Sequence, residues 1–130
     1  MPRDADLALQ VRLDDRFYDL SIQVPMQKIV TDWLRPEGKA DPHGVEQAWT
    51  LLETSLGMVE QDMAGKTWAV GDTFTMADCA GAPALFYANK LMPLSEGHKT
   101  AAAHLQRLMQ RPSMARVLEE AKPYFSMFPG

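Results

Sequence analysis

Apolar residues recur at helical spacing along most of the chain, and the interruptions fall at proline and glycine. Over about Asp6 to Leu34, Leu9, Leu13, Phe17, Leu20 and Val24 follow steps of three and four and form one apolar stripe of a helix. Tyr18, Ile22, Ile29, Val30 and Trp33 widen the surface expected to be buried. Pro25 lacks an N–H and crowds the turn before it, so a kink or short break is expected there. The run from Pro36 to Ala40 reads as a loop.

Asp41 followed by Pro42 has the form of an N-cap with proline at the first helical position. The second helix is expected from Pro42 to Met63, with Val45, Trp49, Leu52, Leu56, Val59 and Met63 on its apolar face. Gly57 inside it suggests close approach of another backbone or simple tolerance. A third helix runs from Thr75 to about Leu91. Its middle is built of small residues, Ala77, Ala80, Gly81, Ala82 and Ala84, so it is expected to be the central helix, with a bend at Pro83. A fourth covers about His98 to Gln110, with Leu105, Leu108 and Met109 inward, and Pro112 ends it. Ser113 is expected to cap a short fifth helix through Ala121, with Val117 and Leu118 buried. The aromatic tail from Pro123 to Pro129 is expected to be non-helical and to pack back on the bundle. The fold expected is therefore all-α, a bundle of about five main helices with the first one kinked, in a single domain over residues 1–130.

Composition narrows the function classes. Of 130 residues, 46% are hydrophobic, enough for one substantial core. The net charge is −4 and the basic residues are scattered, which argues against a nucleic-acid partner. No stretch approaches the roughly 18 apolar residues of a membrane span, and the first residues lack a signal-peptide core. Cys79 is the single cysteine, so no internal disulfide forms, and a reduced, cytoplasmic setting is expected. Cys79 itself reads as a small buried hydrophobe rather than a nucleophile. His43, His98 and His104 do not share a helical face, so no metal site is expected. Gly65-Lys66-Thr67 mimics the end of a phosphate-binding loop, but Glu60 stands where the first glycine should be.

The most informative stretch is Phe74-Thr75-Met76-Ala77-Asp78. Thr75 is placed to cap the helix start, and Asp78, three residues on, to return a bond to the Thr75 N–H. Preceded by Gly71 and Asp72, this run resembles the buried capping signature of the glutathione transferase family. Arg16-Phe17-Tyr18-Asp19 and the end from Arg111-Pro112-Ser113 through Val117-Leu118 to Pro123 are similar to that family too, and the helix order fits its C-terminal domain along nearly the whole chain.

The resemblance implies the rest of the expectation. In that family a thioredoxin-like N-terminal domain binds glutathione and carries the residue that stabilises its thiolate. The helical domain supplies most of the electrophile pocket and much of the dimer interface. No βαβ pattern occurs within these 130 residues, so no catalytic residue can be carried over, and the chain by itself is expected to be inactive. Thr75, Asp78 and Gly71 are structural in this reading. Tyr18 is the candidate substrate-binding aromatic and Arg12 a candidate facing the same cleft; Asp14 and Asp15 are nominal candidates for an acidic contact to a partner's glutathione. No cofactor is expected, glutathione being a co-substrate held by the other domain. The expected partners are an apolar or electrophilic small molecule and a second copy or a thioredoxin-like domain. Without that domain an apolar patch and self-association are expected. The alternative is a non-catalytic binding or protein-interaction module.

Overall fold

The computed structural model describes residues 1–129, and among these every regular element is helical. The chain opens with one long helix in three parts: α1 (Ala5–Phe17), a π-helical turn (Tyr18–Gln23) and α2 (Val24–Asp32). Then come α3 (Pro42–Asp62), α4 (Met76–Leu91), α5 (Lys99–Gln110) and α6 (Pro112–Ala121). Short 3₁₀ turns lie at Leu94–Glu96 and Lys122–Met127. Counting the first three parts as one helix, this is the expected bundle of five.

The starts of α1 and α3 are written locally. The Asp4 carboxylate accepts from the Leu7 N–H at 2.9 Å and caps α1. Asp41 does the same for α3 through the Gly44 N–H at 3.0 Å, with Pro42 in the first turn. Asp41 also meets Lys28 Nζ at 2.7 Å, and its own N–H donates to Asp32 at 3.0 Å, so the loop is tied back to α2. The Lys28 ammonium holds the Asp41 carboxyl below its ordinary range, helped by the Gly44 N–H. The start of α5 is capped from another helix: Glu60 on α3 accepts from the Thr100 and Ala101 N–H groups at 2.9 and 2.8 Å. Desolvation acts to raise the Glu60 carboxyl, but these two donors win and hold it below its ordinary range. At the other end of the chain α6 is capped at Arg111 and starts at Pro112, two residues earlier than a Ser113 cap would place it.

The first helix does not break at Pro25. The Val24 N–H reaches back to the Asp19 carbonyl, the wide spacing of a π turn. That turn takes up the donor missing at Pro25 just before the proline, and α-helix resumes through Asp32. Pro83 is likewise carried within a continuous α4.

Which side of the first helix faces inward differs from expectation. The buried stripe is Val11, Tyr18, Ile22, Met26 and Ile29. Leu9, Leu13, Leu20 and Val24 are 64, 60, 58 and 50% exposed. Positions 9 and 11 stand about 200° apart on a helical wheel, so the two stripes lie on opposite faces. The inward one packs on α3 and on α4, whose small residues let it come close. α4 comes close at Gly81, where a Cβ would lie 3.2 Å from the Tyr18 ring. Nothing approaches Gly57, which is simply tolerated. Leu52, Leu56, Leu85, Leu94, Leu105 and Leu108 complete the core. Two further expectations fail at the edge: Val117 is 56% exposed, and Leu118 is only half-buried, because α6 lies on the surface against α5.

Candidate functional site

The capping stretch forms the joint of the fold. The Asp78 carboxylate is fully buried and accepts from the Thr75 N–H and from the Ala69 N–H, each at 3.0 Å. One side chain thus closes the start of α4 and fixes the preceding loop, in which Gly71 takes φ +66°, a conformation glycine adopts without strain. The Thr75 hydroxyl stands in the capping position over the Asp78 N–H. That N–H, however, also donates to the Thr75 carbonyl at 3.0 Å, and the buried hydroxyl makes no well-formed hydrogen bond. The closed arm of the box is the carboxylate arm.

Sequence reasoning missed the residue that faces this joint from α5. His104 is fully buried, with Nε2 at 3.4 Å from Asp78 Oδ1. Burial lowers its pKa, and the Asp78 charge opposes this only in part, so the imidazole is held neutral near pH 7. The signal was present: His104 falls on the stripe of Ala101, Leu105 and Leu108. Cys79, expected inside, is instead exposed, since one residue past the cap it points away from the core.

The candidate ligand cleft lies at the other end of α4. The tail does fold back on the bundle, but as a 3₁₀ turn rather than as irregular chain. Phe125 packs against Phe86 at 5.6 Å between ring centres, and Phe128 stacks on Tyr87 at 5.4 Å. Lys90 Nζ stands 5.2, 5.0 and 5.9 Å from the centres of Phe86, Phe125 and Phe128 and pins the cluster through cation–π attraction. Between tail and α2 this leaves a cleft of about 420 Å³, walled by Met26, Val30, Tyr87, Tyr124, Phe125, Met127 and Phe128, with Gln23 and Gln27 as polar points. Its volume falls in the usual range of small-molecule clefts and its walls are mostly apolar.

Tyr18 does not line this cleft. It is 3% exposed and borders a separate one, about 220 Å³, between the first helix and α3. Burial pushes its phenol well above the ordinary value, with the charge of Asp14 next in effect. Arg12 is exposed and lines neither cleft, since it projects from the far side of α1 from Gln10 and Asp14. Asp14 is on the wall of the Tyr18 cleft, and Asp15 is paired with Arg16 at 2.8 Å.

A five-helix bundle whose central helix starts on a buried capping aspartate defines a family, and comparison with known proteins agrees. Residues 23–112 match the family profile described as glutathione S-transferase, C-terminal domain. The chain belongs to that family. It is 31% identical over 86 residues to a glutathione S-transferase-like protein LUC7 of Fusarium sp., an alignment covering 66% of this chain and 39% of that one. Its fold is similar to a glutathione S-transferase from Methylobacillus flagellatus KT solved with GSH bound, with a TM-score of 0.82 and 24% identity over 88% of this chain and 58% of that one. A glutathione S-transferase from Methylobacterium radiotolerans JCM 2831, in complex with glutathione sulfonate, gives 0.79 and 24% over 89% and 56%. The chain thus spans less than two thirds of the length of these relatives. Among the described residues no helix is long and apolar enough to cross a membrane.

Proposed function

We propose that this domain holds the apolar co-substrate of a glutathione transferase in the cleft between α2 and the aromatic tail. The observation that carries the reading is the cleft of about 420 Å³ walled by two tyrosines, two phenylalanines and two methionines, with no charged side chain on it among the described residues. Aromatic faces stack on planar electrophiles, and the thioether side chains adapt to their outline. The thiolate that attacks such a molecule, and the group that activates it, belong to a thioredoxin-like domain, so this domain positions and desolvates the electrophile and supplies no proton transfer. The exposed stripe of Leu9, Leu13, Leu20 and Val24 supports a second element of the proposal, that a polypeptide surface, a second copy or that domain, covers the outer face of the first helix.

The test uses this chain and the apolar fluorophore 8-anilinonaphthalene-1-sulfonate. Saturable binding is expected, weakened at least tenfold, about 1.4 kcal/mol, by Phe128→Ala or by Met26→Ala. Calorimetric titration with glutathione is expected to show no binding, and the chain alone to leave the reaction of glutathione with 1-chloro-2,4-dinitrobenzene at its uncatalysed rate. Micromolar affinity for glutathione, or dye binding indifferent to both substitutions, would overturn the reading.

A further inference from the structure

Between α4 and the first turn of α6 an unpaired positive charge borders an apolar hollow. The Arg111 guanidinium carbon stands 3.7 Å from the centre of the Phe74 ring and 5.4 Å from that of Trp68, and these two rings pack edge-on at 5.5 Å. The rings hold the charge in place, but an aromatic face accepts no strong hydrogen bond, so the guanidinium keeps its donor capacity. Among the described residues Arg111 makes no ion pair, and its Nε is a buried donor without a partner. The hollow beside it, about 190 Å³, is walled by Phe74, Leu108, Met114 and Val117, with Cys79 and Ser113 on its lining and no acidic side chain among the described residues. The start of α6 adds donors of the same kind. It has no side-chain cap and no acidic residue in its first turn, and the Ser113 and Met114 N–H groups lie where a helix offers them no acceptor.

We propose that this hollow binds a free carboxylic acid, as its carboxylate, on a compact apolar stem. Arg111 and the first-turn amides are N–H donors, and a carboxylate answers them with two oxygens while neutralising the buried guanidinium. The helix dipole of α6 favours the same sign of charge. The walls then select among anions. Inorganic phosphate would meet the donors but leave Phe74, Leu108 and Val117 uncovered, whereas a ring or a branched alkyl group removes that surface from water. The volume lies below the usual range of sites for drug-sized ligands, so the occupant is a single ring or a short branched chain. This hollow shares no lining residue with the tail cleft, so it stands or falls independently of the transferase reading.

The experiment is a titration of the chain with phenylacetate, with neutral phenylacetamide and inorganic phosphate as controls. Cys79 is the single cysteine and lies exposed on the lining, so its alkylation by iodoacetamide, followed by mass spectrometry, reports occupancy. Phenylacetate is expected to slow alkylation saturably and to shift the Ser113 and Met114 amides in NMR spectra, with phenylacetamide and phosphate each weaker by about tenfold or more. Arg111→Gln should weaken phenylacetate by about tenfold. Ser113→Asp is the second variant: a carboxylate in the first turn of α6 favours the helix, so the fold is kept, while its charge competes for the same donors and should weaken phenylacetate by about tenfold. Equal affinity for phenylacetate and phenylacetamide, phosphate binding as tightly as phenylacetate, no saturable change by about 10 mM, or a folded Ser113→Asp protein that binds unchanged would overturn the site.

Discussion

Replacing Asp78 tests the joint directly. The wild-type carboxylate accepts two buried N–H groups, from Ala69 and Thr75, both at 3.0 Å. A hydrogen bond to a charged acceptor contributes about 1.5–3 kcal/mol, and a donor left buried without a partner costs its full desolvation. Asp78→Ala strands both donors and leaves a void, so a loss of about 3–5 kcal/mol is expected. Asp78→Asn keeps one acceptor but turns an NH₂ toward the other N–H, so a loss of about 2–3 kcal/mol is expected. Against a typical domain stability of about 5–15 kcal/mol, either change removes a large share. Urea unfolding followed by tryptophan fluorescence reads it out, because Trp68 adjoins Ala69 and packs edge-on against Phe74 at 5.5 Å. Hydrogen exchange at the Ala69 and Thr75 amides gives the local reading. Thr75→Val is the control: the hydroxyl makes no well-formed bond, so its loss should cost under about 1 kcal/mol, less than an ordinary N-cap. An Asp78→Asn protein within about 1 kcal/mol of wild type, with both amides still protected, would refute the reasoning.

Three further outcomes follow from the same geometry. His104 has a folded-state pKa below its unfolded value, so the unfolded chain takes up a proton first; stability should be flat above about pH 6.5 and fall by up to about 1.4 kcal/mol per pH unit below it, and His104→Gln should remove that slope in pH-dependent urea titrations. Glu60→Ala frees the Thr100 and Ala101 N–H groups at a partly solvated helix start, so a loss of about 1 kcal/mol is expected in urea midpoint, with Glu60→Gln recovering part of it. Gly81→Ala gains about 1 kcal/mol of helix propensity but presses on the Tyr18 ring, and a net loss of about 1 kcal/mol is expected by thermal unfolding.

The sequence carried the helices, their order and the cap, because these are set locally. Asp41–Pro42 and Thr75–Asp78 each place a carboxylate three residues from the N–H it must reach, and spacing alone reveals that. The inward face of the first helix was not legible in the same way. Both Leu9–Leu13–Leu20–Val24 and Val11–Tyr18–Ile22–Met26 repeat at helical spacing, and only contact with α4 decides between them. Glu60 and His104 were missed because each acts across helices, on partners some forty and twenty-six positions away along the chain. The tail cleft needed the fold as well: its walls come from α2, α4 and the last turn, and no single stretch of sequence holds the set. Tyr18 was singled out as an aromatic at a ligand site, and the fold sets it beside Asp14 and Asp62 instead of among the aromatic residues of the tail.

The π turn at Tyr18–Gln23 has a consequence for how this polypeptide tolerates change in length. Losing one residue there would let the amide ladder close as ordinary α-helix and turn everything downstream only slightly, because such a turn is one residue inserted into an α-helix; a deletion within α1 or α2 proper would swing it by about 100°. A deletion in the regular helix would take Ile29 and Met26 out of the interior and pull the Lys28–Asp41 clasp out of reach, while one in the π turn would leave both in place. The stretch between α2 and α3 is free of such a constraint, since it is exposed from Trp33 to Ala40. Insertions and deletions accumulated over evolution should therefore collect in that connection, and within the long helix a single-residue change should fall at the odd turn, which works as a slack link that keeps the inward face in register.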